Sequence, residues 1–331
     1  MIVEYSDIYE KAWDRFVFQE SMNGTFLQSR SFLNYHPKER FQDNSLLFMK
    51  GNNIVAVLPA NIIEDIEGKI LMSHMGSTFG GIVLGKQYKK IAEVEEIFEE
   101  FNQYLEDKKI QKVVLKMTSN LYVTRDSELL EYFLFLNGYQ AMAEIGYYID
   151  FSEYDITSIE SNFNASRRRG WKNSMKHNME FKELLTDGEI QVFYEILANN
   201  MKKFDTKPIH SMEELLKLKK ECIPNNVRFF GCFYQNEMVA GSMVFCFDKQ
   251  VFHTQYLATN QKRLSLYPSE FLYYGLIKTA ADENYEKISF GTSTLEHGKV
   301  LNKSLAQFKE GFGTKEYVNR TFYKCYAKEY M

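Results

Sequence analysis

The order of strand and helix signals predicts an α/β (α+β) protein built from two similar units in tandem, each with a mixed sheet. Three observations carry that prediction. A β-rich stretch, Lys287–Gly291, is followed by a helix-compatible run that ends at Leu305–Gly313. About 175 residues earlier, Lys112–Lys116 is followed by a run that ends at Leu134–Tyr139. Upstream of each block lies a turn-centred hairpin, Leu46–Val55 in one and Phe229–Met238 in the other. A repeat this long indicates a duplicated domain, since solenoid units recur every few tens of residues. The expected division is residues 1–150 and 151–331, with the meeting place of two such domains the natural position for a small-molecule cleft.

Each element has a local reason. Tyr9–Glu20 has helical spacing, with Trp13, Phe16 and Val17 on one face. Leu46–Met49 and Ile54–Leu58 flank the turn residues Gly51, Asn52 and Asn53, and Pro59 restricts any continuation of the second strand. Lys69–Met72 and Ile82–Leu84 bracket a loop with glycines at Gly76, Gly80 and Gly81. Between Lys90 and Lys108 the apolar positions Ile91, Val94, Ile97, Phe98, Phe101 and Leu105 form a helical stripe opposite acids. A helix near Ser127–Asn137 ends at Gly138, and a strand through Tyr147–Ile149 closes the first unit.

The second unit opens with a helix-compatible segment from Ile156 and a basic stretch around Arg167. Helices follow at about Glu189–Met201 and Met212–Leu218, the latter with Ser211 as N-cap. The hairpin Val227–Tyr234 and Met238–Phe247 leads to a third strand, Gln250–Ala258. A loop, Thr259–Tyr267, then enters a helix at Pro268, a residue suited to a first helical turn.

Bulk properties narrow the function. With 331 residues, 25% charged and 45% hydrophobic, the chain reads as a soluble globular protein. A net charge of -4 argues against a dedicated nucleic-acid binder, although it leaves room for a local basic patch, and no DNA partner is expected. Cys222, Cys232, Cys246 and Cys325 lack C-x-x-C spacing, as expected for buried free thiols in a reducing compartment. The N-terminus shows no secretory signal and no apolar run is long enough to span a bilayer, so a cytoplasmic location is expected. There is no H-E-x-x-H, paired Cys/His spacing, Walker lysine loop, G-x-S-x-G elbow or G-x-G-x-x-G fingerprint. The expectation is accordingly no metal and no resident cofactor.

The second half resembles the C-terminal domain of the FemAB/FemX peptidoglycan-bridge aminoacyltransferases and related proteins with tandem GNAT-fold domains. The residues that carry the resemblance are the Arg-rich helix start Ser166–Lys172, the strand and loop Gln255–Thr259, the strand end Phe290-Gly291, and Gln307–Gly313. The last of these, Phe308-Lys309 followed by Phe312-Gly313 after a Gly-Thr-Ser turn and a helix, is the most specific. The resemblance implies two GNAT-like domains, with the acceptor on the first and the donor on the second. The sequence departs from the pattern of CoA-dependent members after the third strand. Where they carry a glycine-rich phosphate loop, Gln261–Tyr267 has no glycine, although Lys262 and Arg263 could supply charge instead. The implied acyl donor is either an aminoacyl-tRNA or acetyl-CoA.

Several residues become candidates on this basis. Arg167, Arg168, Arg169, Lys172, Lys176 and Lys182 crowd into a short span opposed only by Glu180. On one helix Arg168, Lys172 and Lys176 would share a face, which suits donor phosphate contact as well as it suits a plain solvated surface. Lys309 and Tyr256 are the catalytic candidates the resemblance implies. Lys309 would stabilise an oxyanion or hold donor phosphate, strand amides near Tyr256 would face the acyl carbonyl, and Phe308 and Gln255 would line the donor side, the tyrosine being equally suited to the core. Lys38 and Arg40 follow the segment where the family has a cation on the acceptor, and His253, sharing a strand face with Gln255, is a further acceptor-side candidate. A satisfied structural histidine is the commoner role for such a residue. His297, in the turn Glu296–Gly298, carries a weaker signal of the same kind.

These readings converge on an N-acyltransferase acting on an amine of a cell-envelope or surface-polysaccharide precursor, small or nucleotide- or lipid-linked. Two alternatives stand beside it: an acetyl-CoA-dependent acetyltransferase acting on an amino sugar or small amine, and a catalytically silent binding module that recognises a phosphorylated glycan.

Overall fold

The computed structural model describes residues 1–37, 39–66, 68–123, 128–202 and 206–326. The chain divides into two compact units, residues 1–144 with 318–331, and residues 145–317. The division expected from the repeat placed everything after residue 150 in the second unit. The chain instead returns at its end to the first, because its last strand pairs there.

In the first unit the strands are β1 (Ile2–Glu4), β2 (Leu46–Lys50), β3 (Asn53–Leu58), β4 (Ala60–Asp65), β5 (Gly68–Ser73), β6 (Val83–Leu84) and β7 (Ile110–Lys116). The helices are α1 (Glu10–Arg15), α2 (Arg30–Leu33), α3 (Ile91–Asp107) and α4 (Glu128–Leu136). Pro59 does more than end a strand. Unable to donate to a ladder, it separates β3, which lies in the sheet β1-β2-β3-β6, from β4, which pairs antiparallel with β5. β5 then pairs in parallel with β7. The apolar stripe of α3 buries Val94, Ile97, Phe98, Phe101 and Leu105 against these strands, and Glu93 accepts the Lys89 and Lys90 N–H groups at 3.0 Å to close the helix start.

β8 (Gln140–Asp150) leads into the second unit. There α5 (Ala165–Ser174), β9 (Met179–Glu183), α6 (Asp187–Met201) and α7 (Met212–Lys217) precede β10 (Val227–Tyr234), β11 (Glu237–Phe247) and β12 (Val251–Thr259). After these come α8 (Pro268–Asp282), β13 (Lys287–Thr292), the short hairpin β14 (Thr294–Leu295) and β15 (Val300–Leu301), α9 (Lys303–Glu310) and β16 (Lys315–Cys325). The strand order is β8-β13-β12-β11-β10-β9, and the β12–β13 pair is parallel. Thr186 with Glu189 and Ser211 with Glu214 form the capping boxes that start α6 and α7.

The same order therefore recurs: a hairpin, a third strand, a helix, a strand parallel to the third, and a second helix. In β16 the residues Thr321–Cys325 pair antiparallel with Lys116–Lys112 of β7, and Phe322 enters the first unit's core. No helix among the described residues is long and apolar enough to cross a membrane.

Candidate active site in the second unit

Parallel pairing of β12 and β13 runs through three registered pairs and stops at His253 opposite Ser289. β12 nevertheless continues to Thr259 and β13 to Thr292, so the two strands diverge into a fork. Two irregularities produce it. On the β11 side, Met243 faces Tyr256 while Val244 faces Thr254, which leaves Gln255 as a bulge. On the β8 side, a register shift between Ser289 and Gly291 bends β13, and Gly291 takes φ +69°. Past the last pair, the β12 edge facing the fork is free of ladder bonds to β13.

Lys309 comes to this fork from α9. Asn302 caps the helix by accepting the Leu305 N–H at 3.2 Å, and the buried face presents Ala306 and Lys309. The Lys309 ammonium donates to the Gly291 carbonyl at 3.0 Å and the Thr292 carbonyl at 2.6 Å. Its residue is 4% exposed, and no carboxylate pairs with it among the described residues. Burial lowers its pKa from 10.5 to about 7. An ammonium has three donors, so one N–H remains for a ligand.

The surrounding motif has a packing explanation. Phe308 and Phe312 lie against Tyr273, with ring centroids 5.8 and 5.0 Å away, and Phe290 stacks on Tyr273 at 4.5 Å. A Cβ on Gly311 would sit 2.4 Å from Cγ of Arg167, so that side chain needs the glycine. Gly313 turns the chain at φ +77°. The Glu310 carboxylate accepts from the Tyr147 hydroxyl at 3.0 Å.

His253 is buried beside the fork. Its Nδ1 lies 3.0 Å from Ser289 Oγ and its Nε2 lies 3.2 Å from Gln255 Oε1. Burial, aided by the Lys309 charge and opposed by Gln255, lowers its pKa to about 4, so the ring is neutral at pH 7. Tyr256 bonds through its hydroxyl to Nδ1 of His210 at 2.8 Å, and burial raises its pKa to about 12. Sequence reasoning missed His210 and Ser289. Nothing in spacing announces a histidine 46 residues from its tyrosine partner.

Arg167 and Arg168 are internally committed. Arg167 donates to Glu270 Oε1 at 2.6 Å and lies 4.7 Å from the centroid of the Phe308 ring. Arg168 donates to the Glu160, Ser161 and Phe163 carbonyls at 3.0, 2.7 and 2.8 Å, closing the short helix before α5. Arg169 and Lys172 are exposed on α5, Lys176 lies beyond its end, and Lys182 is on β9. The expected single basic face is therefore divided among three settings. Lys262 is exposed, and Arg263 donates to Glu237 at 2.9 Å. In the first unit, Arg40 is exposed with its guanidinium 5.7 Å from the Phe41 ring centroid. Lys38 lies outside the described residues. His297 is exposed in a turn at φ +55°.

Glu270 is a third residue that sequence reasoning missed. It occupies the first turn of α8 at 7% exposure, where burial raises its pKa and Arg167 opposes the rise. The segment before it, Gln261–Leu266, forms a 3-10 helix and ends at Tyr267 with φ +57°. The positive end of α8 thus already carries a carboxylate.

This arrangement, a mixed sheet that forks beyond a bulge with a helix on each side of the parallel pair, is a tandem GNAT fold. Solved structures with the same architecture include FemX, at TM-score 0.68 and 9% identity over 97% of this chain and 96% of that one. They also include the C-terminal domain of a putative lysylphosphatidylglycerol synthetase from Agrobacterium fabrum, at 0.60 and 11% over 96% and 92%. A tandem GNAT protein from the clavulanic acid biosynthesis pathway matches at 0.56 and 6% over 98% of both chains. No family model matches the sequence, and no curated protein matches it in sequence.

Proposed function

We propose that the protein is an N-acyltransferase whose donor carbonyl lies in the fork between β12 and β13. The observation that carries this reading is Lys309, a buried cation without a carboxylate partner among the described residues, fixed at the fork by two carbonyls. An uncompensated charge in so dry a place is costly unless something uses it. The acceptor amine attacks the acyl carbonyl, a C–N bond forms, and the bond from the carbonyl carbon to the leaving oxygen breaks. The proton given up by the amine ends on the leaving hydroxyl. In the tetrahedral intermediate the oxyanion receives the remaining Lys309 N–H and backbone N–H groups from the β12 edge. The enzyme forms no covalent intermediate.

Two features favour an aminoacyl ester, such as charged tRNA, over acetyl-CoA. The segment before α8 has no glycine to bring backbone N–H groups to a diphosphate. A diphosphate at the start of α8 would also face Glu270, whose cation Arg167 is already paired with it. The acceptor is an amine on a cell-envelope or surface-polysaccharide precursor.

The test is transfer of label to a panel of amine acceptors from aminoacyl-tRNA and, separately, from acetyl-CoA. Lys309→Met should lower kcat about 10²-fold or more, with thermal unfolding close to that of the parent. Undiminished turnover in Lys309→Met would remove Lys309 from the chemistry. Transfer from acetyl-CoA alone would reassign the donor as a thioester.

A further inference from the structure

The first unit has its own cavity of about 450 Å³, whose lining includes Tyr5, Asp7, Glu10, Arg30, Asp43 and His74. Its one guanidinium is already in use. Arg30 is 3% exposed, donates to Ser45 Oγ at 3.1 Å and Asn34 Oδ1 at 3.0 Å, and forms an ion pair with Asp43. The Tyr5 ring covers it, its centroid 3.7 Å from the guanidinium carbon. Burial works to raise the pKa of Asp43, but Arg30 outweighs it and keeps the carboxyl ionised. Asp7 and Glu10 are exposed at the rim, and neither has an ion-pair partner among the described residues. Among the lining residues three carboxylates thus meet one guanidinium that is already ion-paired to one of them, a balance that repels phosphate and attracts an ammonium.

An independent feature points to a ligand that also accepts hydrogen bonds. His74 is 5% exposed and its Nδ1 accepts the Gly76 N–H at 3.2 Å. Burial first, then His36 and Arg30 against the opposing pull of Asp43, lowers its pKa to about 3, so Nε2 carries the proton of a neutral ring. That N–H has no partner among the described residues, and the side chain lines the cavity. The ring is held in place by stacking on His36 at 6.0 Å and by an edge contact with Phe41 at 5.3 Å. Tyr5 and Phe41, also in the lining, offer aromatic surface to a ring with an apolar side or to a cation.

We propose that this cavity binds a hydroxylated primary amine, specifically an amino sugar with a free ammonium group. The carboxylates receive the ammonium and hydroxyl protons, and His74 donates to a ring or hydroxyl oxygen. The assignment is separate from the acyl-transfer reading, because it concerns binding alone and is measured without a donor.

Calorimetric titration of the intact chain with glucosamine, N-acetylglucosamine and glucose 6-phosphate tests it. Glucosamine should bind saturably, and N-acetylglucosamine and the phosphate ester at least about tenfold more weakly. The double variant Asp7→Asn/Glu10→Gln alters only exposed side chains, so it should keep the parent's thermal unfolding while glucosamine affinity falls about tenfold or more. Three results would each overturn the assignment: no saturable binding of glucosamine, equal or tighter binding of N-acetylglucosamine, or unchanged affinity in the double variant.

Discussion

Lys309 ties its environment to measurable pH effects. Its pKa in the folded chain, about 7, lies below the unfolded value of 10.5, so between these pH values the unfolded chain binds the extra proton. Stability should therefore rise with pH across that window in the parent, and the rise should be missing from Lys309→Met when urea titrations of the two are compared. Activity should move the other way. If the ammonium holds the oxyanion, kcat/KM falls on the alkaline side of about pH 7, and the variant's residual rate lacks that limb. His253 and His74 act at lower pH. Their folded-state pKa values, about 4 and about 3, lie below the ordinary 6.5. The stabilisation from burying them neutral is complete above pH 6.5 and is lost as the pH falls toward 4, at up to about 1.4 kcal/mol per pH unit for each ring. Unfolding free energies of His253→Gln and the parent should converge over that interval. The residues that could be singled out in the sequence were those inside a short local pattern, Lys309 and Phe308 above all. His210, Glu270, Ser289 and the Arg30–Asp43–His74 group were illegible because their partners are distant in the chain.

Helices and strands were legible where periodicity was strong. The stripe of α3, the Ser211-capped start of α7, and the hairpin β10–β11 all follow directly from residue spacing. β9 escaped because Met179–Glu183 alternates over too few residues to stand out, and β16 because Lys315–Cys325 is rich in polar residues and lacks clean alternation of apolar positions. These strands are held by their neighbours more than by their own propensity. The contact of β9 with α8 shows how tight such support is. A Cβ on Gly275 would lie 2.5 Å from the Phe181 ring. Gly275→Ala should thus destabilise the chain by about 1–2 kcal/mol despite alanine's better helix propensity. Adding Phe181→Leu should recover part of the loss. Additive urea midpoints for the two substitutions would show that the contact is not shared.

The duplication was legible across the whole chain because the order of elements repeats even where residues do not. The return of the last strand to the first unit was not, since no local pattern encodes which sheet a terminal strand joins. Phe322, 6% exposed, is the anchor of that return. Phe322→Ala should cost about 3–4 kcal/mol and speed amide exchange across Ile110–Lys116 before it affects Val227–Tyr234. Simultaneous loss of protection in both segments would show that the chain unfolds as one cooperative body.

That final strand also sets a schedule for the ribosome. Nascent domains ordinarily close as soon as they emerge, but here the earliest residues must wait for Val318 onward to cover β7. At ordinary elongation speeds the interval is roughly 10–35 s, during which a strand edge stays open to mispairing. A chain stalled shortly before its last strand should therefore be a preferred client of chaperones that guard exposed β-edges.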